Sequence, residues 1–262
     1  MSDWTKTLFN QSYVATEGLA LSQALTKKEC AVLVRVLGLE ANQQILDLAC
    51  GHGRHSIELA RQGFSHILGL DFNRAAIEQA RRDAQSSSAQ FVVGDMLQLE
   101  YTEQFDVVLS LFHSMFYWDD TTHLAILRGV YRALKPGGRL LLDSYNPFAL
   151  VHRKLLEQHP VFGRLLAWRK RLGRLYRQLR QTHAWHETQS HFVPSTGRIQ
   201  GIKRMYVGKN CEEHPLDVRI YSCTELERLL HEAGFGIEKI VSSAGTEFTA
   251  QSPRFLLVAK KQ

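Results

Sequence analysis

The nine residues Asp47-Leu48-Ala49-Cys50-Gly51-His52-Gly53-Arg54-His55 constrain this chain more than any other stretch. They follow an apolar run, Gln44–Ala49, and lead into a helical pattern, Arg54–Gln62. Two glycines one residue apart allow a tight turn and let the backbone approach a ligand closely. A turn that opens a helix also presents backbone N–H groups to an anionic group. No Gly-Lys-Ser/Thr follows, so the turn is not a P-loop. The dinucleotide fingerprint wants glycine or alanine where this chain has Ser56. Asp71 ends the second strand, at the place where an acid binds the two hydroxyls of a ribose; methyl-donor and dinucleotide readings share it.

The turn belongs to a regular rhythm. Candidate strands are Gln44–Ala49, His66–Leu70, Phe91–Val93, Phe105–Leu111 and Arg139–Asp143, with helical patterns at Arg54–Gln62, Arg74–Gln85 and Thr121–Leu134 between them. Strand–helix–strand alternation predicts βαβ units and a parallel sheet. Lys135-Pro136-Gly137-Gly138 ends the third of these helices and turns the chain into the next strand. After Asn146-Pro147 the pattern changes. Residues 148–180 read as helix, and 183–209 as short strands around Pro194-Ser195-Thr196-Gly197. The core rhythm returns with helix Thr224–Ala233 and strands Gly236–Ser242 and Phe255–Lys260. The expected organisation is therefore a core of residues 1–147 and 218–262, interrupted by an inserted α+β lobe, 148–217.

Composition limits the function classes. Hydrophobic residues make up 44% of the 262, enough for one sizeable core. No stretch approaches the roughly 18 to 20 apolar residues of a membrane span. Residues Met1–Asn10 show no signal-peptide pattern, and the four scattered cysteines (Cys30, Cys50, Cys211, Cys223) read as reduced thiols. A cytoplasmic location is expected. Cys50, His52 and His55 are needed as a turn and lack a fourth ligand, so no metal is expected. The net charge of +6 is local. Residues 152–180 hold nine Lys or Arg against Glu157, leaving the remainder near −2. That segment is either a solvated helical face or a surface for an anionic partner.

Taken together, Leu46–Ser56, Leu70–Phe72, Gly94–Met96, Phe105–Asp120, Leu134–Gly138, Arg219–Tyr221 with Glu225-Leu226, Ala233–Phe235 and Ser252–Ala259 resemble the class I S-adenosylmethionine-dependent methyltransferases. The resemblance is to the bacterial small-molecule group with a substrate-side insertion, related to sugar N,N-dimethyltransferases and glycine N-methyltransferase. It implies a Rossmann-like α/β fold: a seven-stranded, mostly parallel sheet with helices on both faces, its last strand antiparallel, and the insertion after strand five. It implies S-adenosylmethionine as cofactor and S-adenosylhomocysteine as product. Asp47, Ala49, Gly51 and Gly53 would line the methionine end. Asp71 would hold the ribose, Phe72 the adenine face, Asp95 the adenine amino group with Met96 beside it. Ser110 and Phe112 would lie near the sulfonium, and Tyr13 would close an N-terminal lid, whose alternative is a helix on the outside of the sheet. The family usually has glycine where this chain has Phe116.

The acceptor side is expected at the carboxyl edge of the sheet. His113 and Tyr117 are the catalytic candidates. A free imidazole titrates near about 6.5 and could serve as base; the alternative is a hydrogen-bonded structural histidine. Tyr145, Asn146, Arg204, Arg219 and Tyr221 are the substrate-binding candidates, with Arg219 and Tyr221 equally able to pin the insertion to the core. The expected function is methyl transfer to a small molecule. The alternatives are a nucleic-acid methyltransferase docking through 152–180, a nicotinamide-dependent oxidoreductase, and a cofactor-binding protein without catalysis.

Overall fold

Successive residues of the central strands point into two different cores. In β1 (Ile45–Leu48), Ile45 joins one cluster while Leu46 and Leu48 join the other; in β4 (Phe105–Ser110), Val107 and Leu109 oppose Val108. Both faces of these strands are apolar because both are covered, as a parallel sheet requires. The computed structural model describes residues 3–18, 22–158 and 184–262. The remaining strands of the main sheet are β2 (Ile67–Asp71), β3 (Gln90–Val93), β5 (Leu134–Tyr145), β9 (Phe235–Ser242) and β10 (Arg254–Lys261). Their order is β3-β2-β1-β4-β5-β10-β9. All neighbours are parallel except β10, which runs antiparallel to β5 and β9. The expected seven-stranded, mostly parallel architecture is thus present.

Helices α3 (Gln23–Leu37), α4 (Arg54–Arg61) and α5 (Arg74–Asp83) cover one face. Helices α6 (Asp120–Ala133) and α8 (Cys223–Glu232) cover the other. Local chemistry sets their ends. Ser22, Asn73 and Asp119 each cap a helix by accepting a backbone N–H, and Ser222 with Glu225 forms a reciprocal capping box. Strand order reverses between β1 and β4, so the crevice beyond their carboxyl ends is the place for a ligand.

Two expectations need correction. Strand β5 starts at Leu134, not Arg139: Leu134 pairs with Phe105, and the Lys135–Gly138 segment is absorbed as a register shift before Val107 pairs with Arg139. The insertion holds three ten-residue strands rather than short ones: β6 (Ala184–Val193), β7 (Arg198–Val207) and β8 (Asn210–Arg219) form a separate antiparallel sheet. Its second turn is the two-residue loop Gly208-Lys209, with Gly208 at φ 60°, a hairpin geometry that favours glycine. Helix α7 (Pro147–Gln158) follows β5. The basic stretch beyond Gln158, expected to continue as helix, lies outside the described residues until Ala184.

Asn146 is expected at the substrate but serves as a clasp. It is fully buried, and its Nδ2 donates to the carbonyls of Thr249, Ala250 and Ser252 at 3.2, 3.1 and 2.8 Å. The loop leading into β10 is thereby fastened to the end of β5. Asn146→Ala removes these bonds and leaves a gap at a fully buried position, and is expected to lower the unfolding free energy by about 1 to 2 kcal/mol, measured by denaturant titration.

Candidate functional site

The chain leaves β1 through a turn built from left-handed residues. Ala49, Gly51 and Gly53 have φ of 60°, 58° and 75°. Gly53 is needed for packing as well: a Cβ there would lie 2.6 Å from Phe91 Cζ. Gly69 in β2 makes a similar hollow for the same ring, at 2.6 Å from Phe91 Cδ1, a role the sequence did not suggest. Asp71 ties this turn to the end of β2. Its Oδ2 accepts from Gly51 N and its Oδ1 from Asn73 N, each at 2.8 Å. Burial pushes its carboxyl pKa upward, while the two backbone bonds oppose that rise.

A partly open cleft lies over this turn. Ala49, Gly51, Asp71, Phe72 and Met96 line one part, all expected there. Phe112 and Tyr117, from the rim after β4, also line it, and Tyr13 lines it from above. Tyr13 lies on α2 (Gln11–Gly18), which follows α1 (Asp3–Leu8). Thr5, Phe9, Tyr13 and Val14 of this segment line the cleft. Phe9 holds it down: its ring meets Tyr117 at 5.1 Å and Phe72 at 6.0 Å, and its carbonyl accepts from Asn73 Nδ2 at 2.8 Å. Phe9 was not anticipated; it lies in the bend between α1 and α2. Trp118, read from sequence as wall or core, lines the cleft.

Four expected cofactor residues lie outside the lining. Asp47 is buried and accepts from Ser56 Oγ at 2.6 Å. Gly53 packs on Phe91. Asp95 caps the 3₁₀ turn Met96–Gln98 by accepting from Leu97 N at 3.0 Å. Ser110 is buried within β4. Among the described residues no group of three or more His, Cys, Asp or Glu could hold a metal.

The acceptor-side candidates are redistributed. His113 is fully buried beside the cleft, not in its wall. Its Nε2 lies 2.8 Å from the Arg219 carbonyl, so that nitrogen carries the proton and donates. Its Nδ1 then accepts from Ser144 Oγ at 3.0 Å and from Tyr145 N at 3.4 Å. Burial lowers its pKa to about 3. Both nitrogens are engaged in joining β5 to β8, so His113 is no general base. Arg219 and Tyr221 likewise pin the insertion to the core. Arg219 pairs with Glu225 at 2.8 Å and Asp120 at 3.3 Å, and stacks on Tyr221 at 4.3 Å. Tyr221 donates to Asp120 Oδ1 and accepts from His123 Nδ1, each at 2.7 Å. Phe116, the departure from the family's glycine, is packed against Tyr221, His123 and His113. Arg204 pairs with Glu213 on the three-stranded sheet, and Tyr145 sits at the end of β5 with its ring 5.1 Å from His113. None of Tyr145, Asn146, Arg204, Arg219 and Tyr221 lines the cleft.

The insertion instead meets the lid. Helix α2 packs on β6 and β7, and α1 on β8. Glu212 accepts from Asn10 Nδ2 at 2.8 Å and Ser12 Oγ at 2.7 Å. The Lys203 ammonium lies 4.6 Å above the Tyr13 ring.

Residues 45–138 match a family described as a methyltransferase domain. The sterol 24-C-methyltransferase ERG6A of Gibberella zeae is 30% identical over 155 residues, covering 53% of this chain and 39% of that protein. The chain thus spans less than half the length of this curated relative. Among solved structures, the CcbJ methyltransferase from Streptomyces caelestis superposes with a TM-score of 0.68 at 18% identity, covering 92% of each chain. CalS10, an amino pentose methyltransferase from Micromonospora echinaspora solved with S-adenosylmethionine bound, has a TM-score of 0.57 at 17% identity over 94% of each chain.

The buried histidines have a pH signature. His113 and His123 have pKa values lowered by burial to about 3 and about 4, below the unfolded value of about 6.5. Between those values the unfolded chain binds protons that the folded chain does not, so their contribution to stability is present above pH 6.5 and lost as pH falls toward 4 and 3. The ring C–H resonances of both are expected to show no titration from pH 8 to pH 5 by NMR, with unfolding becoming easier in acid. A midpoint near 6.5 for His113 would return it to the list of bases.

Proposed function

We propose that this chain, whose residues 45–138 match a methyltransferase domain, transfers a methyl group from S-adenosylmethionine to a small-molecule acceptor. The observation that carries the reading is Asp71. Its carboxylate faces the cleft with one backbone N–H on each oxygen, and each oxygen retains capacity for one more donor. That is the chemistry of a vicinal ribose diol. Phe72 and Met96 offer apolar surface for an adenine, and the Ala49–Gly51 backbone lies open beside them. The donor, when bound, supplies a sulfonium methyl that is displaced in line by the acceptor's lone pair, leaving S-adenosylhomocysteine.

The protein's own work is alignment and exclusion of water. Phe9, Tyr13, Tyr117 and Trp118 wall the rest of the cleft with rings, and the lid covers it. A small acceptor fits such a covered, aromatic space, in keeping with relatives named for sterols and an amino pentose. The nucleic-acid alternative rests on the 152–180 segment, most of which lies outside the described residues. The nicotinamide alternative has no support from the matching domain. No described helix is long and apolar enough to cross a membrane, and four free cysteines support a cytoplasmic setting.

We assign the insertion, 148–217, the task of seating the lid over the core formed by 1–147 and 218–262. Glu212→Ala removes the two bonds to Asn10 and Ser12, and is expected to speed S-adenosylhomocysteine dissociation about five- to tenfold, read by stopped-flow displacement. An unchanged rate would leave the insertion without a part in closure.

The cofactor assignment is tested by calorimetry. S-adenosylhomocysteine is expected to bind and NAD to give no heat at equal concentration. Asp71→Ala should weaken S-adenosylhomocysteine by at least about tenfold, since each ribose bond to a carboxylate contributes about 1.5 to 3 kcal/mol. Binding of NAD alone would overturn the function.

A further inference from the structure

We propose that Asp143 and Arg254 are positioning residues for the methyl donor: through Phe112 they fix the wall that meets the donor's amino-acid chain. This rests on the methyltransferase reading above and concerns the same cleft. Phe112 opens the rim after β4 and lines the cleft, partly exposed. Its φ is 55° and that of His113 is 62°. In this left-handed region Cβ crowds the following carbonyl oxygen, so two such residues in succession persist only where their surroundings hold them.

Asp143, near the end of β5, holds both. Its Oδ2 accepts from Phe112 N at 3.0 Å, and its carbonyl accepts from His113 N at 2.9 Å. The side chain is buried, and its charge is met by Arg254 Nη1 at 3.1 Å. Arg254 begins β10, and its guanidinium lies over the Phe112 ring, 4.1 Å from the centroid. A second guanidinium, that of Arg54, lies over the same ring at 4.8 Å and is itself held by Glu29 and Thr26 at 2.6 and 2.8 Å. Contacts of this kind favour one position of the ring. A smaller cavity adjoins, lined by Glu29, His55, Asp143 and Arg254, and Phe112 is the one residue that its described lining shares with the cleft. A ring released by Asp143 and Arg254 has that space to move into, and the wall of the cleft moves with it.

Strand order decides which part of the donor this wall meets. Asp71 ends β2, Met96 follows β3 and Phe112 follows β4, in a sheet ordered β3-β2-β1-β4. With the ribose on Asp71 and the adenine on the Phe72 and Met96 side, the 5′ side of the ribose is left toward β4. Neighbouring strands are about 4.8 Å apart, so the rim lies about 10 Å from the ribose anchor. The sulfur and the amino-acid chain extend across that distance. The same wall therefore sets where the sulfonium methyl sits, and a displaced Phe112 misaligns it.

Two ligands that differ only in that chain test this. S-adenosylhomocysteine carries it, and 5′-methylthioadenosine has a methyl group in its place. Asp143→Asn cancels the charge that meets Arg254, and Arg254→Gln removes the guanidinium from the ring. Each is expected to weaken S-adenosylhomocysteine about tenfold by calorimetry, and to leave 5′-methylthioadenosine within about twofold of the unaltered protein. A merely structural role would move both ligands alike, or neither. The Arg254 side chain is partly exposed, so Arg254→Gln carries the test where circular dichroism shows Asp143→Asn to be unfolded. Equal weakening of the two ligands, unchanged S-adenosylhomocysteine affinity in Arg254→Gln, or no binding of 5′-methylthioadenosine to the unaltered protein at millimolar concentration would overturn the proposal. Failure of S-adenosylhomocysteine to bind the unaltered protein would instead overturn the methyltransferase reading on which it rests.

Discussion

The carboxylate of Asp71 organises the ligand side of this protein. By accepting one N–H from Gly51 and one from Asn73, it joins the first βα turn to the start of the second. The turn can take that shape because three of its residues sit in the left-handed region. The start of α5 is fixed through the same group, since Asn73 also caps that helix and donates to Phe9 in the lid. A single buried carboxyl group therefore connects the glycine turn, the neighbouring helix and, through Asn73, the N-terminal segment. Its burial is costly for a charge, and the two backbone donors offset that cost.

A second polar network does comparable work on the other side of the cleft. Trp118 N–H donates to His123, His123 to Tyr221, and Tyr221 to Asp120, which also pairs with Arg219. Arg219 in turn offers its carbonyl to His113. Each donor in this chain has one acceptor, so the histidines are held neutral and their tautomers are determined. The network fastens β8 of the insertion to α6 and β5 of the core. It also explains why the rim after β4 can carry Phe116 in place of glycine: the ring fills the space between His113, His123 and Tyr221.

The consequence is a division of labour that differs from the one the chain order suggests. An insertion leaving the sheet beside the cleft looks like a wall of that cleft. Its described residues instead hold α1 and α2, and the lid supplies the wall. Phe9 and Tyr13 from the first residues of the chain and Tyr117 and Trp118 from the rim share the lining of the cleft. Residues more than a hundred positions apart meet because the sheet brings the rim under the lid while β6–β8 press the lid down.

Much of this was legible in the residue order, and the reason is periodicity. Strands buried on both faces write themselves as apolar runs, amphipathic helices as three- and four-residue spacing, and the turn at Gly51–Gly53 as glycine where φ must be positive. Those signals are local, so the core elements, the glycine turn after β1 and the place of Asp71 at the end of β2 followed from sequence alone. The strands of the insertion were harder, because a three-stranded sheet with half-buried faces alternates weakly. What only the tertiary structure decided is which polar side chains are already satisfied. His113, Asn146, Arg219 and Tyr221 have the chemistry of site residues, yet each meets partners distant in sequence that consume its donors and acceptors. Hydrogen-bond satisfaction depends on long-range neighbours, and no local pattern encodes it.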